Sequence, residues 1–260
     1  MTPQPTKTNS KDGTAIAFDQ VGHGPPLILV VGAFNDRRTG APLAASLATH
    51  FTVLCYDRRG RGDSGDAAAY DVDREIEDLD ALIRAAGRTA AVFGYSSGAV
   101  LALRAAAAGL AITKLALYEP PPARPAEHVA TLASLIAAGR RGDAVEYFQR
   151  QVVGIPEPIV AQLRHAPFRR ALEAMAHTLV YDATIVASDA LSPSLATRVR
   201  QPVLAIAGSA GPPIMREVTD ELGRLLPNGR SLILAGATHD IEPASLGPVL
   251  VRFLDGTRGD

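Results

Sequence analysis

The feature that most constrains this chain is a short turn, Gly94-Tyr95-Ser96-Ser97-Gly98, between the apolar run Ala90 to Phe93 and a segment of helical character from Ser97 to Ala108. A strand that passes straight into a helix must reverse within a few residues, and flanking glycines remove the Cβ atoms that would collide there. The residue at the apex is pushed out of the packed layer. A serine at that point exposes its hydroxyl beside the first N–H groups of the helix, which have no intrahelical acceptor. Ser96 is therefore the candidate nucleophile, and the backbone N–H of Ser97 a candidate oxyanion donor. The hydroxyl of Ser97, one step into the helix, is the wrong one to attack. The alternative is a glycine-rich turn in which Ser96 merely bonds to backbone. The strand before it and the helix after it favour the nucleophile.

Other apolar runs resemble the one that feeds this turn. Leu27 to Val31, Thr52 to Cys55 and Val203 to Ala207 are apolar without alternation, as expected of strands covered on both faces. Lys114 to Tyr118 and Ser231 to Leu234 are weaker additions, and Ala15 to Phe18 fits an edge strand. Between the runs lie helical patterns. In Val72 to Ala86 the residues Ile76, Leu79, Leu82, Ile83 and Ala86 recur at helical spacing, with acidic residues on the other face. Ser97 to Ala108 carries Gly98, Ala99, Ala102, Ala105 and Ala106 inward, small enough for close approach to a sheet. Strands alternating with helices predict an α/β fold, a mostly parallel central sheet with helices on both faces.

From Pro120 to about Leu195 the alternation stops. Helix-like segments at Val129 to Ala138, Asp143 to Val153, Pro158 to His165 and Arg169 to Leu179 are punctuated by proline. This reads as a helical lid, at about residues 121–195, inserted into a single domain spanning 1–260. At 260 residues the length prior alone does not decide the domain count.

A serine hydroxyl needs a base within hydrogen-bond reach, usually histidine. Of six histidines, His23 and His50 precede buried strands, and His128, His165 and His177 fall in the insertion. His239 alone follows a late strand, in the turn Ala235-Gly236-Ala237-Thr238-His239, and is the candidate general base. A surface histidine without a role is the competing reading.

The remaining features set limits. With 26 basic and 27 acidic residues there is no broad positive field for nucleic acid or anionic lipid. The single cysteine, Cys55, lies in an apolar run and cannot form an internal disulfide, so a small buried hydrophobe is expected. Met1 to Gly13 is polar and lacks the apolar core of a secretory signal, and no run is long and uncharged enough for a membrane span. A soluble cytoplasmic protein is expected, without nucleic-acid or membrane partners; oligomeric state is left open. Gly60-Arg61-Gly62-Asp63-Ser64-Gly65 matches a dinucleotide-binding spacing, but a charged loop follows where a helix should open. It is read as a structural loop, and no cofactor or metal is expected.

From about Lys11 to Leu254 the chain resembles the α/β-hydrolase family. Four segments carry the likeness: Leu29-Val30-Val31-Gly32-Ala33-Phe34, Tyr56-Asp57-Arg58-Arg59-Gly60-Arg61-Gly62-Asp63-Ser64-Gly65, the Ser96 turn and the His239 loop. The resemblance places a second oxyanion donor at Ala33 or Phe34, just after Gly32, although many members have His-Gly where this chain has Val31-Gly32. It also implies an aspartate in Val203 to Pro213, where none stands. In this fold the acid lies between nucleophile and base in the chain. Glu119, at the carboxyl end of the strand after the Ser96 turn, is the candidate carboxylate, a position similar to that in some haloalkane dehalogenases. Glu217 is its rival, and Asp240 fails the order.

The implied activity is hydrolysis of a carboxylic ester, lactone or thioester of a small apolar substrate through an acyl-enzyme. Two other readings use the same scaffold: a non-catalytic ligand-binding protein, and a cofactor-free enzyme with lyase, cyclase or perhydrolase chemistry. Phe34, Tyr95, Tyr147, Phe148 and Met175 are candidates to line the pocket, or are core.

Overall fold

The apolar runs become eight strands of one sheet. A computed structural model describes residues 4–67, 69–187 and 192–255. The strands are β1 (Thr6–Asn9), β2 (Ala15–Val21), β3 (Pro26–Val30), β4 (Thr52–Tyr56), β5 (Ala90–Tyr95), β6 (Ile112–Tyr118), β7 (Val203–Gly208) and β8 (Gly229–Leu234), in the spatial order β1-β2-β4-β3-β5-β6-β7-β8. β1 pairs with β2, and β2 with β4, antiparallel. Every other pairing is parallel, from β4 through to β8. β1 was not anticipated: the polar stretch before Gly13 forms an edge strand whose side chains are mostly exposed, so it carries no apolar signal.

The helices follow as α1 (Arg37–Leu47), α2 (Val72–Ala85), α3 (Ser97–Ala107), α4 (Glu127–Ala137), α5 (Arg141–Tyr147), α6 (Glu157–Leu163), α7 (Arg169–Ala174), α8 (Leu179–Ile185), α9 (Pro193–Ala196), α10 (Pro213–Leu225) and α11 (Pro243–Asp255). A π-helical turn, Phe148–Val153, continues α5, and a 3₁₀ turn, Ala176–Thr178, joins α7 to α8.

The pleat sorts each strand between two cores. Ile28, Val30, Val92, Leu115, Leu117, Val203 and Ala205 face one side, with Leu79 and Leu82 of α2, Ala99, Ala102 and Ala106 of α3, and Val218 and Leu222 of α10. Leu27, Leu29, Phe93, Ala116 and Leu204 face the other, with Leu43 and Leu47 of α1 and Leu246 and Leu250 of α11. Both faces are thus covered, which is why the central strands read as continuous apolar runs. Cys55 is buried in the second core, and burial pushes its thiol up to about 12, in keeping with a packing role.

Between β6 and β7 the chain is helical, as expected, but two of the expected segments are broken: Asp143 to Val153 divides into the end of α5 and the π-helical turn, and Arg169 to Leu179 ends as α7 at Ala174. The expected insertion at 121–195 includes residues 188–191, which lie outside the described residues. The segment has its own small core of Leu132, Ala144, Val145, Phe148, Val152, Ala176, Leu179 and Ala183, against which Ala33 and Phe34 pack. It therefore sits on the loop after β3. Among the described residues, no helix is long and apolar enough to cross a membrane.

Candidate active site

Parallel strands bring their carboxyl ends to one edge of the sheet, and the loops that follow β3, β5, β6 and β8 meet there. Ser96 stands between β5 and α3 with φ 54° and ψ −126°, a region L residues enter only when their surroundings force it. The forcing groups are visible. A Cβ on Gly98 would lie 2.3 Å from the carbonyl oxygen of Val30, and one on Gly94 would lie 2.6 Å from the Cα of Ala99. α3 can approach the sheet only with glycine at both positions. From Ala90 to Leu103, Ser96 is the one residue not buried. The hydroxyl of Ser97 donates to Asp182 Oδ1 at 2.7 Å and is buried, so it is held inside the protein. Its backbone N–H, at the first position of α3, has no intrahelical acceptor.

Glu119 follows β6 and is fully buried, with φ 52°. Its backbone N–H is tied to Ile206 O at 2.8 Å, which turns the side chain across the end of β7. There Oε1 accepts from the N–H of Gly208 at 2.6 Å, and Oε2 lies 3.1 Å from His239 Nδ1. The carboxylate thus reaches from β6 to the end of β7, where the sequence has no aspartate. Glu217 is exposed on α10, and Asp240 is exposed with its carboxylate accepting from the hydroxyl of Thr238 at 3.2 Å.

The His239 loop is clamped by a residue the sequence did not single out. Tyr118 donates its hydroxyl to the carbonyl oxygen of Thr238, and its ring lies 6.1 Å from that of Tyr95, which in turn lies 5.0 Å from the His239 imidazole. Its position beside Glu119 was the available clue, but as the last residue of an apolar run Tyr118 reads as core.

The loop after β3 is fixed by buried charge. Gly32 has no room for a side chain: a Cβ there would meet Ser96 Cβ at 2.8 Å and Ser96 Oγ at 3.3 Å. Its carbonyl accepts from Arg61 Nη1 at 2.6 Å, and Arg61 also reaches Asn35 O at 3.2 Å. Asn35 Nδ2 donates back to Ala33 O at 2.6 Å. Arg61 Nη2 and Arg58 Nη1 both donate to Asp182 of α8, at 2.6 and 2.7 Å, and Arg58 makes a two-point pair with Glu75 of α2 at 2.7 Å. All four charged side chains are buried. Burial by itself would raise the Asp182 carboxyl, but the guanidiniums of Arg61 and Arg58 outweigh it and hold the group below the ordinary carboxylate range. The Gly60 to Gly65 segment is therefore an ion-paired structural loop. Asp57 accepts from the N–H of Asp63 at 2.8 Å, and among the described residues no helix opens until Val72. Asp182 gave no sequence signal, because a lone aspartate in a helix is ordinary until its buried partners are known.

These groups surround a cavity of about 240 Å³ lined by Ala33, Phe34, Tyr95, Ser96, Ser97 and His239 from the sheet edge. The insertion contributes Phe148, Gln149, Val152, Val153, Ile155, Asp182 and Val186. Of the aromatic and methionine candidates, Phe34, Tyr95 and Phe148 line it, with Phe34 and Phe148 packed edge to face at 5.4 Å. Tyr147 and Met175 do not. Tyr147 turns away to hydrogen-bond His128 Nδ1 at 2.9 Å, and the methionine of the lining is Met215 on α10. Among the described residues no group of three or more His, Cys, Asp or Glu could hold a metal ion.

Residues 27–246 match the model of the alpha/beta hydrolase family. An alpha/beta hydrolase from Sphaerobacter thermophilus DSM 20745 superposes with a TM-score of 0.90 at 48% identity, over 96% of this chain and all of that one. The enol-lactonase from Burkholderia xenovorans LB400 superposes with a TM-score of 0.74 at 24% identity, over 96% of this chain and all of that one, a likeness of fold. The pimeloyl-[acyl-carrier protein] methyl ester esterase of Xanthomonas campestris pv. campestris is 34% identical over 105 residues, 40% of this chain and 40% of that protein. The chain spans between a third and two fifths of the length of the curated relatives it matches.

Proposed function

Since the chain belongs to the alpha/beta hydrolase family, we propose that it is a serine hydrolase that cleaves a carboxylic ester, lactone or thioester through an acyl-enzyme. The observation that carries this reading is the strained, solvent-reaching Ser96 at the mouth of a mainly apolar cavity shared with His239, itself paired through Nδ1 with buried Glu119. Ester chemistry is supported further by the methyl ester esterase to which part of the chain is similar.

In this reading the acyl carbonyl lies against Ser96. Its oxygen accepts from the backbone N–H groups of Ser97 and of Ala33 or Phe34, each donor contributing roughly 2.7–4 kcal/mol to the transition state. Ser96 Oγ attacks the carbonyl carbon and its proton passes to His239 Nε2. Glu119 keeps the Nδ1 proton in place and stabilises the imidazolium. Collapse of the tetrahedral intermediate breaks the bond to the leaving alcohol or thiol, which takes the proton from His239. Water, deprotonated by the same histidine, then attacks the acyl carbon, and a second collapse releases the acid and restores Ser96. The residue network around Arg61 serves to hold the loop of Ala33 and Phe34.

The helical insertion acts as a cap on a single domain, and its apolar residues favour a small apolar substrate. The proposed compartment is the cytoplasm. The test is a panel of short and medium acyl esters, thioesters and lactones with the wild-type and Ser96→Ala proteins. Turnover that vanishes in the variant supports the reading. Turnover retained above a tenth of wild type rejects Ser96 as nucleophile. A Ser96 that reacts with a fluorophosphonate in a protein that hydrolyses nothing would point to non-hydrolytic chemistry.

A further inference from the structure

One wall of the cavity is built by an irregular helix. α5 passes into a π-helical turn at Phe148–Val153, and Phe148, Gln149, Val152, Val153 and Ile155 all line the cavity. The i→i+5 bonding of a π-turn widens the helix, and such turns occur often where a protein must present side chains to a ligand. Four of these five residues are apolar. Gln149 is the exception, only 4% exposed, and its Oε1 accepts no hydrogen bond. Its backbone carbonyl is occupied by the N–H of Ile155 at 2.8 Å, so the turn itself is satisfied and the side-chain amide is the unpaired group. Leaving a buried polar atom unpaired is costly, and an aliphatic residue of similar size would fill the same wall without that cost.

We propose that Gln149 is a specificity-determining residue that reads a hydroxyl group on the acyl portion of the substrate. This inference rests on the acyl-transfer reading of Ser96 and adds the chemical class to it, a hydroxyacyl ester or lactone. A hydroxyl both donates and accepts, so it pairs with a carboxamide presented by either end. A carboxylate only accepts and leaves Oε1 without a donor. An apolar chain of the same shape leaves the whole amide unpaired, and a site built around a hydrogen bond discriminates most strongly against the analogue that lacks it.

The test uses binding, so that it does not depend on chemistry at Ser96. In the Ser96→Ala protein, calorimetry compares ethyl 5-hydroxypentanoate and ethyl 6-hydroxyhexanoate with their methyl-terminated counterparts, ethyl hexanoate and ethyl heptanoate. At least one hydroxy ester should bind about tenfold or more tightly than its counterpart. Adding Gln149→Leu or Gln149→Met should abolish or invert that preference, the second variant standing in if the first does not fold. Equal binding of each pair, failure of all four esters to bind, or a hydroxyl preference that survives both substitutions would overturn the proposal. Tighter binding of the matching monoethyl dicarboxylates, unaffected by the Gln149 changes, would also overturn it and would assign the pocket's polar recognition to Arg124, which also lines the cavity. Failure of the wild-type protein to turn over any ester counts separately, against the acyl-transfer reading.

Discussion

Replacing Glu119 with glutamine changes one charge and almost no volume, and the structure gives the orientation the new amide must take. The carboxylate now accepts twice, from the Gly208 N–H at 2.6 Å and from His239 Nδ1 at 3.1 Å. Glutamine has one oxygen. The Gly208 N–H is fixed backbone and cannot accept, so the amide oxygen must face it and the NH₂ must face His239. Nδ1 then becomes the acceptor, the ring proton moves to Nε2, and His239 has no lone pair left on the side that must take the Ser96 proton. The wrong tautomer is therefore locked by a buried backbone hydrogen bond. The comparable change in one serine protease cost about 10⁴ in kcat, and a loss of roughly 10³–10⁴ is expected here. Stability should change little, because both hydrogen bonds are replaced in kind. The assay is kcat for one ester, with circular dichroism to confirm folding and with Glu217→Gln and Asp240→Asn as controls expected to lose less than tenfold. A folded Glu119→Gln protein within tenfold of wild type would refute this reasoning.

Three further outcomes follow from the buried groups beneath the site. Asp182→Asn leaves Arg61 without a carboxylate partner in the interior, a loss of about 3–5 kcal/mol, or roughly 6–20 °C in Tm by calorimetry; a fall below about 2 °C would contradict the assigned pairing. Since the Asp182 carboxyl is held below 3.8 in the fold, its ionised form contributes stability above that value, and the contribution is lost as pH falls through the folded value. The urea-midpoint gap between wild type and Asp182→Asn should therefore be widest near neutrality and narrow in acid, and a gap that widens in acid would contradict the sign. Gly32→Ala places a Cβ 2.8 Å from that of Ser96 and should cut turnover by about 10² or more in a protein that still folds, as kinetics beside circular dichroism would show.

What the sequence made legible was whatever depends on local pattern. The central strands announced themselves because burial on both faces makes them uniformly apolar, and the Ser96 turn because crowding there admits only glycine at 94 and 98. β1 escaped notice because an exposed edge strand needs no apolar residues. The helices of the insertion were found only in part: four segments were expected where six α-helices, α4 to α9, form among the described residues, and Arg169 to Leu179 looks like one helix, yet α7 ends at Ala174 and a 3₁₀ turn intervenes before α8. At the candidate site, Glu119 and His239 could be picked out by chain order and strand position, and the structure brings them to 3.1 Å. Tyr118, Asp182 and Arg61 could not, because their importance lies in partners far along the chain, and Gln149 could not, because only the fold shows that its amide is buried without one. Asp182 meets Arg58 from 124 residues away, and Tyr118 meets Thr238 from 120. Such pairings are set by topology and leave no local trace.

The central claim is that Ser96 is a nucleophile activated by His239. It is tested most directly by treating the wild-type, Ser96→Ala and His239→Ala proteins with a fluorophosphonate and measuring intact mass and peptide masses against time. The account predicts one stoichiometric adduct on the peptide carrying Ser96 in the wild type, none with Ser96→Ala, and labelling slowed by about 10³ or more with His239→Ala. Labelling on a different residue, or of His239→Ala at the wild-type rate, would contradict it.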